Sequence, residues 1–202
     1  MQRVLAGSAK GMPIETLPSF AVRPALARVR TSLFDILAPD IVDSRCLDLF
    51  AGTGSVGIEA LSRGAAACLF VELDPTVARI LRANLDRTRL ADRARVMASD
   101  VLSLSAPARE AGPIDLVFIN PPYAFWDDDA RTSALWQMIS GWGEAGGLAP
   151  HVRFIAEHHK KQSPLGPSQG RVVPIDVRAH GQTRLTIAVP APAAVLAGGV
   201  HV

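Results

Sequence analysis

Between residues 45 and 157, short apolar runs alternate with stretches of helical periodicity, and nothing else in the chain restricts its fold so strongly. Runs at 45–50, 67–73, 94–99, 114–119 and 152–157 have the length and apolar character of strands in a sheet buried on both faces. Residues 55–63, stopped by Gly64, read as a helix between the first two runs. Residues 75–86 read as another, opened by Pro75 with Val77, Ile80, Leu81 and Leu85 on one face, and residues 131–142 as a third. Strands joined by crossover helices imply a parallel sheet covered on both sides. The end of the chain breaks the pattern. Residues 171–178 and 184–189 are separated only by Ala179-His180-Gly181-Gln182, which predicts an antiparallel β-hairpin.

The fold class is therefore α/β, with a Rossmann-like, mostly parallel sheet, a terminal antiparallel β-hairpin and a short N-terminal arm. A length of 202 residues suits one domain with an appendage. Residues 1–24 read as the arm or a short hairpin, since Gly7, Gly11, Pro13 and Pro18 interrupt a weak alternation. Residues 25–190 read as the sheet domain, whose first helix opens at Pro24 and carries Leu26, Val29, Leu33, Phe34 and Leu37 at helical spacing. Residues 191–202, rich in Pro, Ala and Gly, read as a flexible tail.

The net charge of +2 hides an asymmetry. Residues 1–34 hold Arg3, Lys10, Arg23, Arg28 and Arg30 against Glu15 alone, whereas the remainder carries 16 basic and 18 acidic groups. A basic arm on a near-neutral body points to an anionic partner met at one end. Arg23 precedes the first helix and Arg28 falls off its apolar stripe, so the arm's cations are expected to be displayed to solvent. No apolar run reaches the ~18 residues of a membrane span, and the first residues lack the apolar region of a signal peptide. Cys46 and Cys68 lie inside strand-like runs, where reduced and buried thiols suit a cytoplasmic protein.

The turn "DLFAGTGSVG", from Asp48 to Gly57, follows the first strand and contains G-x-G-x-x-G. Ligands of an open parallel sheet bind outside the carboxyl ends of its strands. Gly52 and Gly54 are expected to let a ligand approach the backbone, beside Phe50, Ala51 and Thr53. Glu72 ends the second strand next to Leu73, 20 residues after Gly52, where a carboxylate can accept two ribose hydroxyls. These features alone leave a nicotinamide dinucleotide possible. Asp48 shifts the weight. A carboxylate at the end of the first strand is an awkward neighbour for a pyrophosphate and a good acceptor for the ammonium of S-adenosylmethionine. Asp100, followed by Val101 after the third strand, can accept from the amine of adenine.

Asn120-Pro121-Pro122-Tyr123 ends the fourth strand and is the most specific signal. Two prolines fix the backbone. A planar amine can donate to the Asn120 side-chain oxygen and the Pro121 carbonyl, which turns its nitrogen toward an activated methyl group. Tyr123 offers a ring for stacking an extruded base. Hydride transfer has no evident use for this tetrad.

At these motifs the chain resembles the class I S-adenosylmethionine-dependent methyltransferases: "CLDLFAGTGSVGIEALSRGA", "FVELD", "SDVL" and "INPPY". With "RVLAGSAKGMPIETLP", "VRPALARVRTSLFDIL" and "HGQTRL", the resemblance narrows to the RsmD-type 16S rRNA guanine-N2 methyltransferases and runs from about Arg3 to Val189. It implies a seven-stranded sheet, S-adenosylmethionine as cofactor, and methylation of a guanine N2 in small-subunit ribosomal RNA, free or in an assembling particle. The family's basic segment maps onto Arg23, Pro24, Arg28 and Arg30. The family usually has Asp where this chain has Asn120, and Thr, Thr and Glu where it has Ala25, Leu26 and Thr31. The Asn form is common among enzymes acting on adenine N6 or a glutamine amide, so those acceptors, and a weakly catalytic RNA adaptor, stand as alternatives. No metal site, no membrane contact and a monomer are expected. Glu157-His158-His159-Lys160-Lys161 reads as a solvated loop and Trp136 and Trp142 as packing, while Trp126 reads equally as packing or stacking.

Overall fold

The structure, a computed structural model, describes residues 2–17, 24–104, 112–165 and 172–191, with side chains from Ala27 onward in the first helix. β1 (Gln2–Arg3) and β2 (Pro13–Ile14) pair as a small antiparallel hairpin. α1 (Pro24–Ile36) follows, and strands then alternate with helices: β3 (Arg45–Leu49), α2 (Ser55–Ser62), β4 (Ala67–Glu72), α3 (Pro75–Thr88), β5 (Ala94–Ala98), β6 (Ile114–Ile119), α4 (Asp129–Glu144) and β7 (Leu148–His159). β8 (Val172–His180) and β9 (Thr183–Pro190) come last.

Seven strands form one sheet in the order β5-β4-β3-β6-β7-β9-β8. β5, β4, β3, β6 and β7 are parallel, and β9 runs antiparallel to both β7 and β8. The parallel sheet and the terminal hairpin are therefore as the sequence predicts. The chain builds outward from β3 to β5 and then returns to lay β6 on the other side of β3. Such a reversal opens a crevice at the carboxyl ends of the two strands.

Each face of the sheet is covered by a separate apolar cluster. Phe34 of α1, Ile58 and Leu61 of α2 and Leu81 of α3 pack on one side against Phe70 and Phe118. Trp136, Ile139 and Trp142 of α4 pack on the other against Val117 and Phe154. Burial of such side chains contributes roughly 1.5–3 kcal/mol each, the main term favouring the fold. Cys46 and Cys68 are buried free thiols, and burial pushes the Cys46 thiol up to about 12.

The strand predicted at 152–157 is longer, because β9 pairs with it beyond the apolar run, at His158 and His159. The segment expected as a solvated loop is thus largely strand. His158 is buried, its Nε2 2.8 Å from Thr186 Oγ1, and desolvation holds its imidazole below the usual range.

Residues 2–17 form a hairpin that is fastened to the body. The buried Glu59 carboxylate on α2 accepts from the backbone N–H of Leu5 and Ala6, at 2.7 and 3.0 Å, and from Arg63 Nε at 2.8 Å. Asn84 of α3 donates to the carbonyls of Glu15 and Thr53 and accepts from Glu15 N–H. Arg30 donates to Gln2 Oε1 at 2.8 Å and to the Arg3 carbonyl at 2.6 Å. Buried by those contacts, it corrects the expectation that the arm's cations are all displayed: Arg30 ties α1 to β1. Lys10 and Arg28 are exposed, whereas Arg23 and the tail at 192–202 lie outside the described residues.

Glu59→Ala should leave two backbone donors and a guanidinium without their acceptor, costing roughly 3–5 kcal/mol, the scale of a broken buried ion pair. Urea denaturation measures this, and a loss below about 1 kcal/mol would show that the hairpin is held by other contacts.

Candidate functional site

The turn after β3 is bent by left-handed backbone at three residues, Phe50 (φ 63°), Gly52 (φ 56°) and Gly54 (φ 89°). Phe50 is the strained one, since a side chain there costs of order 1–3 kcal/mol. It is held because Ala51 N–H donates to the Val71 carbonyl at 2.9 Å and because the Phe50 and Phe125 rings meet edge to face at 5.0 Å. The two glycines serve different ends. A Cβ on Gly52 would meet no atom within 4 Å, so this residue is open to the crevice. A Cβ on Gly54 would come within 2.2 Å of Leu81 Cδ1, so the absence of a side chain here admits the close approach of α3. Thr53 between them is buried.

Carboxylates mark the ends of β3, β4 and β5. Asp48 is buried, and its Oδ2 accepts from Gly57 N–H at 3.0 Å, which anchors the first turn of α2. Burial pushes its pKa up to about 7 against that hydrogen bond. The expectation that it faces the occupant of the turn is corrected: Asp48 lies closed off from solvent. Glu72 straddles the crevice edge, Oε2 accepting from Gly52 N–H at 2.8 Å and Oε1 from Asp74 N–H at 2.9 Å. Each oxygen keeps a lone pair for a further donor. Leu73 beside it is exposed. Asp100 is exposed and accepts from Leu102 N–H through Oδ1 at 2.9 Å, with Val101 buried behind it.

Beyond β6, Asn120 Oδ1 is buried and has no hydrogen-bond partner among the described residues. Pro121 is buried, and the Pro122 carbonyl accepts from Phe125 N–H at 2.8 Å, closing a 3₁₀ turn over Tyr123–Asp127. That turn is clamped. Tyr123 Oη lies 2.8 Å from Thr183 Oγ1, Gln162 Nε2 donates to the Tyr123 carbonyl at 2.8 Å, and Trp126 Nε1 donates to the Glu157 carbonyl at 2.9 Å. Trp126 is buried and is packing, which settles its double reading against a stacking platform. Tyr123 keeps 37% of its surface exposed.

Glu157, which beside His158, His159, Lys160 and Lys161 reads as part of a solvated loop, lies instead at the crevice end of β7. Ile119 pairs with Ala156, so Asn120 and Glu157 are the next residues on neighbouring parallel strands. A carboxylate at the carboxyl end of a strand, the signal that picks out Glu72 and Asp100, marks Glu157 equally well.

Sheet order, crevice and strand-end carboxylates define a class, the Rossmann-like methyltransferases. A family model described as "Conserved hypothetical protein 95" matches residues 2–189. The Escherichia coli K12 protein named ribosomal RNA small subunit methyltransferase D is 42% identical over 155 residues, 77% of this chain and 73% of its own. The Haemophilus influenzae protein of the same name is 36% identical over 166 residues, 82% of each chain. The solved structure of a hypothetical protein from Thermus thermophilus superposes with a TM-score of 0.72 at 31% identity, covering 95% of this chain and 100% of the other. An RNA methyltransferase from Salinibacter ruber, solved with S-adenosyl-L-homocysteine, reaches a TM-score of 0.56 over 85% of this chain and 96% of its own at 15% identity, a likeness of fold alone. The chain belongs to the RsmD family of ribosomal RNA small subunit methyltransferases.

Asp48 makes stability depend on pH. Its folded-state pKa of about 7 exceeds the unfolded value of 3.8, so between these pH values the folded chain keeps a proton that the unfolded chain has lost. Stability therefore falls as pH rises through this window, by on the order of 4 kcal/mol in total. Asp48→Asn keeps an acceptor for Gly57 N–H and cannot ionise. Its unfolding midpoint should rise relative to the parent between pH 4.5 and pH 8, and an offset independent of pH would contradict the burial argument.

Proposed function

We propose that this chain transfers the methyl group of S-adenosylmethionine to the exocyclic N2 of a guanine in 16S ribosomal RNA. The observation that carries the proposal is the Asn120 Oδ1 atom, buried at the mouth of the crevice without a donor among the described residues. An acceptor left in that state costs about 1–3 kcal/mol, so its surroundings are completed by a ligand that brings an N–H.

The cofactor fits the residues present. Gly52 opens onto free space, Glu72 has lone pairs left for ribose hydroxyls, and Asp100 is free on its outer side to take an adenine amine. Phe50, Ala51, Thr53, Gly54, Leu73 and Val101 complete that wall, and Asp48 is held beneath it. Bound there, S-adenosylmethionine supplies a methyl group already activated for attack by nitrogen. Asn120 Oδ1 and the Pro121 carbonyl accept the two hydrogens of the acceptor amine and turn its lone-pair face toward that methyl. An amine conjugated with a purine ring is a weak nucleophile, so orientation supplies most of the acceleration. Asn120 holds the amine without taking its proton, which passes to solvent once the new N–C bond has formed and the S–C bond has broken. The exposed face of Tyr123 stacks on the extruded base, its hydroxyl steadied by Thr183.

Ribosomal RNA enters through the relatives' names and through the basic end of the chain. Lys10 and Arg28, both exposed, and Arg23 are assigned to phosphate contacts, while Arg30 positions the hairpin that carries Lys10. Replacing Lys10, Arg23 and Arg28 by Ala should lower the salt dependence of RNA binding by about 0.7–0.9 log units of slope per lost contact. Affinity for S-adenosylmethionine should stay unchanged. An unaltered slope would remove these residues from the interface.

Asn120→Ala should bind cofactor normally and lose methyl transfer by ~10²–10³-fold, the scale of one lost preorganised hydrogen bond. Asn120→Asp, which installs the family's usual residue, should retain or gain activity on ribosomal RNA. The side chain here also favours a second reading, an adenine N6 or a glutamine amide as acceptor. Side-by-side assays on ribosomal RNA and a glutamine peptide separate them: turnover of the peptide alone would sink the RNA proposal.

A further inference from the structure

The Glu157 side chain has no part in the reading above, yet its position is unusual for a carboxylate. Among the described residues it forms no hydrogen bond and no ion pair, and desolvation alone pushes its pKa up to about 6. It borders a cavity of about 290 Å³ shared with Arg3, Arg30, Leu33, Ser55 and Val56. Arg30 brings the opposite character. Its Nε is buried and lacks an acceptor among the described residues, although the rest of the guanidinium is tied to Gln2 and Arg3. Glu157 and Arg30 both line this cavity, and each carries a polar group without a partner among the described residues, with Leu33 and Val56 as apolar flanks.

Asn120 completes the set. It and Glu157 follow the paired Ile119 and Ala156 on adjacent parallel strands. Strand alternation turns both positions to the side where Phe118 and Ile155 are buried, the side of α1 and α2. Arg30 Nε–H, the Glu157 carboxylate and Asn120 Oδ1 thus offer a donor and two acceptors in one corner of the fold. The Watson–Crick edge of guanine presents one acceptor and two donors as the complement: O6 accepts, N1–H donates and the N2 amine donates. Adenine presents an amine, then a bare N1 lone pair, then a carbon, and would set that lone pair against a carboxylate.

Resting on the guanine reading, the geometry points to Glu157 as the residue that selects the base, accepting a hydrogen bond from guanine N1–H while Asn120 holds the N2 amine. Arg30 Nε–H donates to O6. Glu157 is then a specificity residue, separate from the amine-aligning turn, and its carboxylate stays bare until a base enters.

The test uses the full chain, S-adenosylmethionine and 16S ribosomal RNA, with nucleosides separated after digestion. Glu157→Gln removes the charge and leaves only a neutral amide oxygen to accept from N1–H. N2-methylguanosine formation should fall about tenfold, the difference between a hydrogen bond to a charged acceptor and one to a neutral acceptor. Binding of S-adenosylhomocysteine should change less than twofold, and Glu157→Asp should recover part of the rate. A second measurement leaves the protein intact: guanosine 5′-monophosphate should inhibit the parent enzyme about tenfold better than its N1-methylated form. Full N2-methylguanosine formation by Glu157→Gln, or equal inhibition by the two nucleotides, overturns the assignment and leaves the guanine reading standing. A parent enzyme whose product is another nucleoside overturns both.

Discussion

The turn after β3 is held by hydrogen bonds from four directions, and the placement of every other site residue follows from it. Ala51 N–H reaches the Val71 carbonyl of β4, Gly52 N–H reaches Glu72, the Thr53 carbonyl receives Asn84 of α3, and Gly57 N–H reaches Asp48 beneath. Left-handed backbone at Phe50 is unfavourable by itself, and these bonds together over-determine it. They also couple elements far apart in sequence. Asn84 joins the turn to Glu15 of the hairpin segment, and Glu59, midway along α2, fixes Leu5 and Ala6. The hairpin that carries Lys10 is in this way set in a fixed relation to the crevice.

Much of this was legible in the sequence, for physical reasons. Apolar runs such as that at 114–119 fill both faces of a parallel strand, and only a sheet uses such segments in alternation with helices. Gly52 and Glu72 could be placed because ligands of these sheets bind at strand ends. The residues misread were those whose role depends on a partner distant in sequence. Arg30 looks like a displayed cation until Gln2 and Arg3 fold back on it, across 28 and 27 residues. His158 and Glu157 look solvated until β9 pairs along β7.

Unsatisfied atoms are the other thing a sequence does not display. Asn120 Oδ1 and Arg30 Nε are ordinary atoms of ordinary residues, and only burial without a partner singles them out. Pro121 and Pro122 help to create that state at Asn120. They carry no N–H, so the turn that positions the amide offers it no backbone donor of its own. A rigid acceptor in a closed corner is suited to aligning an amine, the one thing required when the methyl group is already activated and the nitrogen is weakly nucleophilic.

The most direct measurement is transfer of an isotopically labelled methyl group from S-adenosylmethionine to 16S ribosomal RNA, followed by digestion and mass analysis of the nucleosides. The expected result is label in N2-methylguanosine alone, approaching one methyl group per RNA chain. Label in N6-methyladenosine, or its appearance in a glutamine side chain and not in RNA, would contradict the assignment of a guanine amine to the Asn120 site.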